Sequence, residues 1–111
     1  MRTIKFRAYY IPWKKMGDVT RLNLSTYNVW IKFEDGVHSM FRRDEVELMQ
    51  FTGVLDKNGK EIYEGDLYQL KGLKMLEVEW LNGEDGFYGW NFAREDGEVI
   101  GNIYENSELL K

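Results

Sequence analysis

One histidine, His38, and no cysteine in 111 residues narrow the chemistry open to this chain. Without thiols there is no disulfide, no thiolate nucleophile and no thiolate metal site. A lone imidazole excludes histidine clusters around a metal and leaves a catalytic triad a single base. Its neighbour Ser39 falls on the opposite face of the strand predicted here. Two acidic pairs, Glu84-Asp85 and Glu95-Asp96, stand beside turn glycines, where carboxylates face water. Acid–base work needs burial or a charged neighbour to move a pKa, and the sequence points to neither. The run Asp56-Lys57-Asn58-Gly59-Lys60-Glu61 begins like a calcium loop. Lys60 then stands at position five and Glu61 at position six, where an EF-hand needs an oxygen ligand and a glycine. An Asn-Gly turn is the stronger reading. No glycine loop of phosphate-cradling pattern is present, and Asn23-Leu24-Ser25 fits a glycosylation pattern that has meaning only for an exported chain. The expectation is a protein without catalytic residues, metal or cofactor.

The aromatic cluster Trp80, Phe87, Tyr88, Trp90 and Phe92 has the residue types of a base-stacking platform. Its neighbours are Glu77, Glu79, Glu84, Asp85 and Glu95, with Arg94 the nearest cation, so the electrostatic footprint of nucleic-acid binding is missing there. A core role is the stronger reading. Strand alternation nevertheless sends Phe87 and Tyr88 to opposite faces, which leaves part of the aromatic surface outside. Tyr88, Trp90 and Arg94 are the expected interaction surface, facing a protein partner or a second copy in a homo-oligomer. Nucleic acid is the alternative partner and is not favoured.

Elements that position these residues follow from turns and alternation. Asp35-Gly36, Asn58-Gly59, Asn82-Gly83, Asp85-Gly86 and Asp96-Gly97 are hairpin dipeptides, read as type I′ turns with positive φ at both residues. Val29, Ile31 and Phe33 alternate with Trp30, Lys32 and Glu34 before the first of them, and Val37, Ser39 and Phe41 return after it. Leu76 to Trp80 and Phe87 to Phe92 form a second hairpin, and Asp96-Gly97 turns Glu98 to Tyr104 back onto the aromatic strand. Near the start, Ile4, Phe6, Ala8 and Tyr10 alternate until Pro12 removes a ladder donor. Lys14 to Arg21 and Lys71 to Lys74 read as loops. Arg42 to Leu48, with Asp44 as a cap, and Ser107 to Lys111 are short helical candidates, though Val46 to Phe51 reads equally as a strand.

At this length one domain is expected, 1–111, with an N-terminal lobe 1–47 and a C-terminal barrel-like lobe 48–111 as its subdivision. The chain is 43% hydrophobic and 15% aromatic, enough to fold. Arg2, Lys5, Arg7, Lys14 and Lys15 interrupt the N-terminal apolar residues, so no signal peptide is predicted. No apolar run is long enough for a membrane-spanning helix. A cytoplasmic protein with no membrane partner is expected. A net charge of −4 opposes nonspecific DNA binding.

Four blocks carry a family resemblance: Lys5-Phe6-Arg7-Ala8, the long stretch Leu48 to Leu70, Val78-Glu79-Trp80, and Val99-Ile100-Gly101-Asn102-Ile103-Tyr104-Glu105-Asn106. Together they resemble the YopX family of small phage and prophage proteins, whose biochemical role is not established; the resemblance implies the cytoplasm of a bacterial host cell and a protein partner from host or phage. The family tends to show Trp-Asp after the Arg-Ala pair and Pro before the terminal Glu-Leu-Leu. This chain has Tyr9-Tyr10 and Ser107 there. Ile62-Tyr63-Glu64-Gly65-Asp66-Leu67 resembles the entry to a small SH3-like barrel, with Gly65 supplying an unusual backbone conformation and Asp66 accepting amide hydrogen bonds at the bend. Asn58, Gly59, Ile62, Tyr63, Gly65, Asp66, Gly101, Asn102 and Tyr104 are accordingly read as structural. The expected fold is mainly β: an antiparallel meander or partly open SH3-like barrel, with an N-terminal β extension and one or two short helical turns.

Overall fold

The computed structural model describes residues 5–83, 88–92 and 96–110. Ile4, Glu84, Asp85, Gly86, Phe87, Arg94, Glu95 and Lys111, all named above, lie outside the described residues. The chain divides into two compact units, whose described parts span residues 5–50 and 51–110.

The N-terminal unit is an antiparallel sheet of β1 (Phe6–Tyr10), β2 (Lys15–Asn23), β3 (Asn28–Phe33), β4 (His38–Arg42) and the first half of β5 (Val46–Leu55), in spatial order β4-β3-β2-β1-β5. Alternation in β3 does what period two requires: Val29, Ile31 and Phe33 are buried. With Ala8, Tyr10, Phe41 and Val46 they form one core. Pro12 sits in a 3-10 turn, Ile11–Trp13, that ends β1. Trp13 packs edge-on against Tyr10 and Phe41, with ring centroids 4.9 and 5.4 Å away.

Lys14 to Arg21, expected as a loop, is instead mostly β2. Its polar residues face outward and the inward position nearest β1 is a glycine, so no apolar alternation marks it. Gly17 lies opposite both Ala8 and Phe33, where the small residues let the strands pack. The helical candidate at Arg42 shrinks to a 3-10 turn, Arg43–Glu45, and Val46 onward is strand.

The C-terminal unit contains the second half of β5, β6 (Glu61–Tyr63), β7 (Asp66–Gln69), β8 (Leu76–Glu77), β9 (Trp80–Asn82), β10 (Tyr88–Trp90) and β11 (Glu98–Asn102). A 3-10 turn, Ser107–Leu110, follows. Sheet β11-β7-β8 and ribbon β10-β9 are antiparallel, and no sheet closes into a barrel among the described residues. Ile62, Tyr68, Leu70 and Val78 form the core, with Trp90, Phe92 and Val99 packed against it. The fold is mainly β.

Two expectations need correction. β11 pairs with β7, Val99 opposite Tyr68, rather than with the aromatic strand. The Tyr68 hydroxyl accepts the Gly97 amide at 3.0 Å, which draws β11 to β7. The Asp35-Gly36 and Asn58-Gly59 turns are not type I′. Only Gly36 and Gly59 have positive φ, 91° and 81°, while Lys14 and Tyr27 are the non-glycine residues with positive φ among those described. Gly36 N–H donates to the Phe33 carbonyl and Gly59 N–H to the Asp56 carbonyl, each at 3.0 Å. This is a type I turn closed by a glycine bulge, so Asp and Asn need not enter the left-handed region.

Candidate functional site

The residues first read as structural fall into three hydrogen-bonded corners of the C-terminal unit. Asp56 Oδ1 accepts the amides of Asn58 and Lys60 at 2.8 and 2.9 Å, and Oδ2 accepts that of Val99 at 2.9 Å. Asn58 donates its side-chain amide to Glu98 at 3.0 Å. Burial pushes the Asp56 carboxyl up, but the three amides and Lys60 outweigh it and hold the group below the usual aspartate range. A carboxylate so occupied is a turn fastener.

At the second corner Gly65, with φ 87°, donates to the Val78 carbonyl and accepts from Ile103 N–H, at 2.8 and 2.9 Å. Asp66 is fully buried and accepts the Tyr63 amide at 2.8 Å. Ile62 and Tyr63 are buried beside it. At the third corner Asn102 Oδ1 accepts the amides of Tyr104 and Glu105, 3.0 and 2.8 Å away, while Asn106 Oδ1 accepts that of Asn102 at 3.1 Å. Gly101 leaves room for Asn106: an added Cβ would lie 2.7 Å from its Cγ.

Of the expected interaction surface, Arg94 lies outside the described residues. Tyr88 stands in β10 opposite Asn82. Trp90 packs toward the core and meets Trp80 edge-on at 5.2 Å.

A different surface gathers chemistry-bearing side chains. The solvent side of the N-terminal sheet carries Arg21, Trp30 and Met40 in one cross-strand row, because Arg21 pairs with Trp30 and Trp30 with Met40. The Arg21 guanidinium carbon sits 4.8 Å from the Trp30 ring centroid, a cation–π distance, and Met40 remains 49% exposed. The next row is Arg7, Asp18, Lys32 and His38. Thr20 Oγ1 lies 2.7 Å from His38 Nε2 and 3.4 Å from the Trp30 carbonyl. Reading β2 as a loop hid this surface, since Arg21 then had no strand register against Trp30.

Beyond the end of that face, Thr26, Tyr27, Arg42, Arg43 and Asp44 line an open cleft of about 390 Å³. Tyr27 holds φ 58° and accepts the Arg43 amide at 2.7 Å. Arg42 bridges to Asp44 at 3.0 Å in open solvent. Charge is uneven along the sequence: residues 1–50 hold nine Lys and Arg against six Asp and Glu, and residues 51–111 hold six against thirteen. Among the described residues no group of three or more His, Asp or Glu side chains is placed to hold a metal, and no helix is long and apolar enough to cross a membrane.

Fold and surface together define a small, mainly antiparallel β protein of two units, with hydrogen-bonded corners in one and an open aromatic and basic sheet face on the other. A model of the YopX protein family matches residues 5–111, and the chain belongs to that family. It is similar to a solved structure, protein EF1440 from Enterococcus faecalis, at 28% identity and a TM-score of 0.68, with all of both chains covered. No curated protein matches.

Proposed function

We propose that this is a non-enzymatic phage or prophage accessory protein that works in the bacterial cytoplasm through protein contacts, self-association included. The phage setting rests on the family. The contact reading rests on the Arg21, Trp30 and Met40 row, whose residue types are those enriched at protein interfaces. These three side chains lie on the side of the sheet opposite its core, and Met40 is left half exposed.

The test is the double variant Arg21→Ser, Trp30→Ser in the full chain, checked for native circular dichroism. Loss of self-association by light scattering, or of a partner captured from a lysogen, supports the reading. Mass and capture equal to wild type contradict it. A second reading has one observation behind it: Arg7, Arg21, Lys32 and Arg42 share this face with Trp30, which gives a nucleic-acid strand cations and a ring. A gel shift with single- and double-stranded ligands, weakening steeply with salt, favours that reading; no shift at low salt removes it.

A further inference from the structure

β4 is the outer strand of the N-terminal sheet and pairs with β3 alone. Its pairing shows no bulge and it contains no proline, two of the devices that keep sheet edges from recruiting another strand. Which of its main-chain groups are open follows from register. Phe33 N–H donates to the Val37 carbonyl at 2.8 Å, so Phe33 and Val37 form a hydrogen-bonded pair. Pairs alternate along an antiparallel ladder. Ser39 and Phe41 therefore turn their amides and carbonyls toward β3, while those of His38, Met40 and Arg42 face outward. The Arg42 amide is taken, donating to Glu45 Oε1 at 3.2 Å. His38 and Met40 are left with two amides and two carbonyls that no described residue engages from the open side.

We propose that β4 pairs antiparallel with the β4 of a second copy of this chain, with His38 opposite the partner's Met40 and a twofold axis at Ser39. This rests on the protein-contact reading and names its partner. The register uses all four open groups and leaves the Arg42–Glu45 bond intact; centring the axis on Met40 would bring the occupied Arg42 amide into the ladder. It sets the exposed Met40 between Trp30 of its own sheet and the partner's His38, removing apolar surface from water. It also places Arg42 opposite the partner's Gly36, beside the partner's Asp35. Those side chains are 74% and 49% exposed and already bridged to Asp44 and Lys15, solvent-side pairs that an opposite-charge contact across the joint would extend. The twofold makes every such contact occur twice.

A cysteine-free chain makes the test direct. At the axis, Ser39 and its copy form a non-hydrogen-bonded pair with Cα atoms about 4.5 Å apart, inside the roughly 4.4–6.8 Å range a disulfide spans. Full-length Ser39→Cys is expected to convert under mild oxidation to a covalent dimer that reductant reverses. Met40→Cys, offset by two residues from its own copy, should stay monomeric on the same gel. Light scattering of wild type should show a monomer–dimer equilibrium across about a hundredfold range of concentration, and Met40→Lys should weaken it about tenfold or more while circular dichroism stays native. A wild type that remains monomeric throughout, with no Ser39→Cys dimer, overturns the proposal. So does a dimer joined by Met40→Cys but not by Ser39→Cys. If either occurs while the Arg21, Trp30 double variant still loses a captured partner, the sheet face stands as a contact surface and only the second copy is excluded.

Discussion

Asp56 and Val99 stand 43 positions apart in sequence, and the carboxylate of one accepts the amide of the other at 2.9 Å. Together with the Lys57 amide on the Gly97 carbonyl at 3.0 Å, this ties the β5–β6 turn to the start of β11. A stretch that reads as a half-formed calcium loop is thus a clasp between distant strands.

Asp56→Asn is expected to lower stability by about 2–4 kcal/mol, because one carboxylate serves three amides and the new amide N–H would confront the Val99 N–H. Since Asp56 is held below its ordinary value, its contribution is present above the unfolded pKa, near 4, and is lost as pH falls through the folded value. Urea titrations from pH 7 down should show the wild type losing stability below about pH 4 more steeply than Asp56→Asn. Parallel pH profiles would contradict this.

Gly17→Ala should cost about 1–3 kcal/mol. The added Cβ would collide with Ile31 Cγ2 and come within 2.9 Å of the Lys32 carbonyl, neither of which gives way easily inside a sheet. Thermal unfolding followed by circular dichroism reads the loss directly.

Tyr27→Gly should raise stability by about 1 kcal/mol, since a tyrosine at φ 58° pays the left-handed penalty that glycine avoids. Its 68% exposed ring gives up little burial in exchange. A lower urea midpoint for the variant would show that the ring contributes more than the backbone conformation costs.

Much of this fold was legible where hydrophobic alternation and turn chemistry agree. Val29, Ile31 and Phe33 declared their buried face, Pro12 marked the end of β1, and Ser107 began a single turn. β2 was illegible because its core-facing residues are Gly17, Val19 and Leu22, spaced across a bulge among polar residues, and glycine carries no hydrophobic signal even where tight packing demands it. The partner of β11 was ambiguous for another reason: alternation tells a strand which face is apolar, not which strand lies beside it. That choice is made by the Tyr68 hydroxyl and the Asp56 carboxylate. The contact face was half legible. Trp30 was set on the opposite strand face from Val29, Ile31 and Phe33, yet the row it shares with Arg21 and Met40 exists only once β2 is a strand.

Amide hydrogen exchange of the full chain, measured as protein concentration rises, tests most directly that the N-terminal sheet is the contact surface. Exchange at His38 and Met40 should slow with concentration, while the Glu61 to Gln69 segment exchanges at a constant rate. Exchange at His38 and Met40 that is independent of concentration, or new protection confined to the C-terminal unit, would contradict the account.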